Sequence, residues 1–295
     1  MNKIKVGHDP HGIAVNSQTH MVYVPNFYSN TVSVINGSLK KLIGTIDVGT
    51  FPIGVAVDQI ANIAYVTNVL SRSVSVINGL TNTLQQDISI DDVPTGIAVD
   101  PALHKVYVTS AFGKVVVIDS TTTTVKNKIP VQNGPTGIAV DHNNHKIFVA
   151  NSLSSSVSII DGTNETVSGT IKVGRNPIGV AVDPTISLAY VTNFLSNTVS
   201  VLDTSRKSVK ATINVGNFPT GVAVEPQTHV VYSVNGGSFD LPLPGSVSII
   251  DGTSNIERAR VEVENFPIGI DIDQSTQMVY VANARSDTVS VFEGR

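Results

Sequence analysis

His11 and Asp271 are the residues of this sequence best suited to proton chemistry, because each is the single ionisable residue at its repeat position. The motif Pro-x-Gly occurs seven times. Its middle residue is Ile53, Thr95, Thr136, Ile178, Thr220 or Ile268 in six copies and His11 in the first. Two residues beyond the glycine stand Ala14, Ala56, Ala98, Ala139, Ala181 and Ala223, and in the last copy Asp271. An imidazole titrates near neutral pH, and a neighbouring carboxylate can hold it or exchange a proton with it. His11 with Asp271 is therefore the candidate acid/base pair; the alternative is a hydrogen-bonded structural histidine and a solvated channel carboxylate.

Two positions further on lies a set of mostly acidic side chains: Asn16, Asp58, Asp100, Asp141, Asp183, Glu225 and Asp273. Such a set could hold a divalent cation, or each member could bond the N–H groups of the turn that follows it. Asp-Pro at 100 and 183 favours the turn reading. That cation is the one cofactor the sequence leaves open; no organic cofactor is expected. His20, His104, His145 and His229 recur three residues before an aromatic and read as structural, while His8 reads as exposed linker. No Ser–His–Asp order, P-loop, dinucleotide fingerprint or metal-spaced histidine cluster is present.

The elements that carry these residues follow from the repeat. The motif prolines stand at 10, 52, 94, 135, 177, 219 and 267, steps of 42, 42, 41, 42, 42 and 48. Thirteen residues after each proline comes an aromatic: Tyr23, Tyr65, Tyr107, Phe148, Tyr190, Tyr232 and Tyr280. In the second copy, Ile53 to Asp58, Ala64 to Asn68, Ser73 to Ile77 and Leu84 to Ile90 read as strands. All are rich in Val, Ile, Tyr and Thr and are punctuated by Gly, Asn and Asp. Four short strands in a repeat of this length make one blade of a β-propeller. The fold class is all-β, a seven-bladed propeller with four antiparallel strands per blade. The small residues of the first strand, such as Gly54 and Ala56, place it nearest the axis. Ile4-Lys5-Val6-Gly7 matches Ile171-Lys172-Val173-Gly174 at the end of a fourth strand. The N-terminal strand, residues 3–7, should therefore complete blade seven and close the ring as a single domain over residues 1–295.

In such a ring the fourth-to-first and second-to-third connections share one face. Before the motif proline stand Phe51, Phe218 and Phe266, and the second-to-third connections carry Phe27, Tyr28, Phe112, Phe194 and Arg285. The one long insertion, Gly236 to Gly245, contains Phe239 and is another such connection. Seven of the nine Phe residues thus map to one face. Phe27, Tyr28, Phe51, Phe218, Phe239, Phe266 and Arg285 form the candidate ligand-binding set, at blades six, seven and one. The alternative is that these aromatics only lid the core.

Tyr65-Val66-Thr67-Asn68 and Tyr190-Val191-Thr192-Asn193 follow Pro-x-Gly-[Val/Ile]-Ala-Val-Asp, and the first is followed by Ser-Val-Ser-Val-Ile-Asn-Gly. These motifs resemble the YVTN family of propeller repeats, surface-layer and periplasmic proteins. The resemblance covers the whole chain and implies fold more than function. Pro10-His11-Gly12 resembles, more distantly, the catalytic-histidine turn of virginiamycin B lyase. That family has a glutamate at the end of the next strand, where this chain has Asn26.

Net charge is −4, and the 19 Lys and Arg are scattered. No basic footprint for nucleic acid and no apolar run long enough to span a membrane is present. Cysteine is absent, so disulfides and thiolate metal sites are excluded. Met1 to Val6 has no apolar signal region. That implies a cytoplasmic protein if the chain is complete, and a surface or exported one if it is an excised domain. The expected function is a monomeric binding or scaffold propeller whose partner is a small molecule, glycan or protein. The alternative is a lyase or lactonase of a small cyclic substrate using His11.

Overall fold

The computed structural model describes residues 1–237 and 243–294. Seven four-stranded antiparallel sheets follow one another along the chain, each strand pairing with its sequence neighbour. Blade two is representative: Pro52–Asp58, Ile63–Asn68, Ser73–Asn78 and Thr83–Ser89, from the axis outward. Blade seven takes three strands from the C-terminal end and its outermost from the N-terminus. There Asn2–Lys5 pairs with Thr288–Glu293, Ile4 opposite Val289. This exchange ties the two ends of the chain into one sheet and leaves no frayed blade.

The core lies between the blades rather than within one sheet. Seven clusters of buried Val, Ile, Leu and aromatic residues fill the seven seams; that between blades seven and one joins Ile4, Tyr280 and Val291 to Val15, Val22 and Ile35. Second and third strands are buried on both faces, the second as an apolar run and the third with buried serines alternating with valines, whereas the outermost strands face solvent and are mostly exposed.

The repeated residues have individual reasons. A Cβ on Gly137 would lie 2.2 Å from the Ile178 carbonyl oxygen of the next blade, and one on Gly12 would lie 2.5 Å from that of Ile53. Seven such contacts form a glycine belt around the axis, which no larger residue could join. The belt bulges each inner strand away from regular pairing, as between Pro52 and Val55. Thr67 repairs the bulge: its hydroxyl accepts from Gly54 N at 2.9 Å and donates to the Thr95 carbonyl at 2.9 Å. The motif tyrosine reaches the neighbouring blade, where the Tyr190 hydroxyl donates to the Gly252 carbonyl at 3.3 Å. The Asn that ends the second strand donates to two hydroxyls of the third, Asn68 to Ser73 and Ser75 at 3.1 and 2.9 Å.

Blade three departs from this plan. It has Ser110 where the others have Asn, and the Ser110 hydroxyl donates to Asp92, which Lys114 also approaches at 3.4 Å. The staple is kept by moving the second partner from the third strand to the incoming loop.

Candidate functional site

On the face formed by the first-to-second and third-to-fourth turns, polar groups pair around the axial opening. Each inner-strand terminal side chain caps the next turn. Asp58 Oδ1 accepts from Ile60 N and Ala61 N, and Asn16 Oδ1 accepts from Gln18 N and Thr19 N. The second carboxylate oxygen meets a histidine of the following blade: His20 with Asp273 at 2.7 Å, His145 with Asp100 at 2.7 Å, and His229 with Asp183 at 2.8 Å. Between blades one and two, Asn16 donates to Asn62 at 2.8 Å. Three of the four recurrent histidines and their partner carboxylates are thus two halves of an inter-blade latch at three seams. The sequence supplied each half at its own spacing; only the ring brings position 20 to 273. Among the described residues, no three His, Asp or Glu side chains gather as cation ligands.

The opposite face carries the candidate binding residues. Ring-stacking joins His11 to Phe27 at 4.9 Å and Phe27 to Phe51 at 4.5 Å; Tyr28 stands edge-on to Phe27 at 5.0 Å. His8 leans on Tyr28 and pairs with Asp287 at 2.9 Å, which raises its pKa. Four of the named residues therefore form one aromatic group at the seam of blades one and two. Phe218 packs on Phe194 across the seam of blades five and six, at 5.2 Å. Arg285 holds its guanidinium 4.8 Å over the Phe266 ring. Phe239 lies outside the described residues. In each seam the Phe before the motif proline meets the first residue of the preceding blade's second-to-third connection: Phe51 meets Phe27, Phe218 meets Phe194, and Phe266 approaches Gly236.

The second residue of that connection points outward. Tyr28, Leu70, Phe112, Leu153 and Leu195 occupy this position in blades one to five, and all five are exposed, between 47% for Leu195 and 79% for Leu153. Blades six and seven have Gly237 and Arg285 there. The exposed apolar rim therefore runs round blades one to five and shares only blade one, through Tyr28, with the sector at blades six, seven and one to which the aromatic count pointed. Leu39 and Leu80, exposed on the other face, do not share a repeat position; a second exposed apolar row, Leu42, Leu84, Val167 and Val209, does share one and lies on the outermost strands, at 38–41% exposure.

His11 and Asp271 are not brought together. The His11 ring nitrogen lies 3.3 Å from Asp9 Oδ2. Asp271 instead accepts from Val15 N and Ile272 N, both at 2.8 Å. Val15 is four residues past His11, roughly 13 Å along extended chain. Asp271 borders an axial cavity of about 570 Å³ that opens beside Gln59, Pro101 and His142 and is walled by Ala, Val and Ile. Burial pushes its carboxyl up to about 6, against the two amide hydrogen bonds that pull it down. Burial also pushes the His142 imidazole down. His142 escaped the sequence reading because its six counterparts vary (Ser17, Gln59, Pro101, Pro184, Pro226, Gln274), so nothing marks it as an exception.

No protein-family model and no curated protein matches the sequence. Among solved structures, the chain is similar to Kuenenia stuttgartiensis hydrazine synthase, with a TM-score of 0.83 and 19% identity over 97% of this chain and 95% of that one. At that identity the likeness shows the propeller fold alone.

Proposed function

We propose that this propeller is a binding module of the YVTN type that engages a protein partner on the loop face carrying the rim. The supporting observation is the exposed apolar side chain at one repeat position in five consecutive blades. Patches of this kind are uncommon on free surfaces without a binding role. Side chains on five different blades can be covered together only by a partner of macromolecular size, which favours a protein over a small molecule or a single sugar. The aromatic group at His11, Phe27, Tyr28 and Phe51 supplies an anchor of the sort that dominates protein interfaces.

The test is retention of partner protein on immobilised propeller. The triple substitution Tyr28→Ser, Phe112→Ser, Leu153→Ser removes much of the rim; Leu39→Ser with Leu80→Ser alters the other face by the same chemistry. A partner kept by the native protein and by the second variant, and lost by the first, supports the reading. Equal retention by all three proteins refutes it. The lyase or lactonase alternative would have His11 and Asp271 acting from separate places. Its test is turnover of lactones and cyclic depsipeptides, with His11→Ala as the control.

A further inference from the structure

We infer that the axial cavity binds a small ligand made of an ammonium group on an apolar body, with Asp271 as the counter-charge. The cavity belongs to the face opposite the proposed rim, so this inference stands apart from the protein-binding reading.

Volume and walls define the apolar part. About 570 Å³ lies within the range of small-molecule sites. Its sides are the Ala and Val rows of the inner strands, such as Ala56, Val57, Ala181 and Val182. Towards the other face the channel narrows at a collar that includes Ile13, Ile97 and Ile270, beyond which the glycine belt surrounds a space of only about 180 Å³. The cavity is therefore a cup with one wide mouth.

Charge defines the polar part. No Lys or Arg lines the cup. Asp100 reaches its wall, but its Oδ2 is engaged by His145. Asp271 borders the cavity and has no ion-pair partner among the described residues; one amide hydrogen bond to each of its oxygens leaves each with acceptor capacity to spare. A carboxylate in an apolar enclosure is costly unless a cation joins it. The one imidazole at the mouth, His142, is held towards its neutral form by burial, so it does not supply that cation at neutral pH. The remaining six blades place Ala at this position, so the scaffold itself has no need of the carboxyl group.

Calorimetric titration with n-hexylammonium and with 1-hexanol, which match in shape and differ in charge, reads the inference directly. The amine should bind at least tenfold more tightly than the alcohol at pH 7.5. Asp271→Ala, which restores the residue of the other blades, and Asp271→Asn should each abolish that preference, with thermal melts confirming that both variants fold. Glu257→Gln, a change on the outer edge of blade six, should keep it. Equal affinities, no binding of either probe, or a preference that survives Asp271→Ala overturns the inference.

Discussion

The two loop faces of this ring put the same repeat to opposite use. On the inner-turn face the polar side chains find partners across the blade seams: His20 with Asp273, His145 with Asp100, His229 with Asp183. On the other face, stacked aromatics fill the seam positions and the next residue outward is left uncovered, from Tyr28 to Leu195. The difference lies in what water does for each group. An unpaired buried carboxylate has a high energetic cost, so selection for folding alone would keep the latch. Rim side chains such as Leu70, Phe112 and Leu153 bury little of their surface on folding, and their recurrence at one repeat position is what the proposed binding role would explain.

That contrast can be broken or sharpened by substitution, beginning with the belt on which both faces depend. Gly137→Ala would press a methyl against the Ile178 carbonyl and should cost about 3 kcal/mol in urea unfolding. A loss near zero would mean that the inner strands can separate, and that the axis is softer than the packing implies.

Asp183→Ala removes the bond with His229 and the cap on Thr185 N, and should cost about 2 kcal/mol. In contrast, Leu153→Ser on the rim should change stability by less than about 0.5 kcal/mol. If the two variants melt alike, the latch and the rim do not differ as argued.

Asp271→Ala should instead stabilise the protein at pH 7.5, by about 1–2 kcal/mol. The native carboxyl, with a pKa near 6 against 3.8 in an unfolded chain, holds a proton in the folded state where the unfolded state has released it. Native stability therefore rises as pH falls through 6 towards 4, and the advantage of Asp271→Ala should shrink over that window. Thermal melts of both proteins from pH 7.5 to 4 check the sign; an advantage that grows on acidification would reverse the assignment.

The coupling within the aromatic group should be a modest effect. A double-mutant cycle on Phe27 and Phe51 should return about 1 kcal/mol beyond area burial. No coupling would leave the stack as a loose surface contact rather than a preformed anchor.

The seven blades, their strand order and the closing N-terminal strand were legible because a repeat states its own register seven times. The capping role of the acidic positions was legible too, since Asx turns depend on residues two and three apart. The histidine latch was not, because its partners lie 45 to 253 residues apart in sequence and meet only across a seam. Blade three's Asp92–Ser110 exchange was hidden for a related reason: a substituted Asn looks like a lost contact until the incoming loop is seen to replace it.

The sequence by itself determined the fold and singled out His11 and Asp271, because departure from a repeat is visible without coordinates. Tertiary structure alone decided that the two are apart, one stacked on Phe27 at a loop face and the other inside the channel. It also decided that the exposed apolar rim runs through blades one to five. The physical reason is the same in both cases: a repeat fixes how far along a strand a residue lies, but exposure and proximity depend on which neighbouring blade turns towards it.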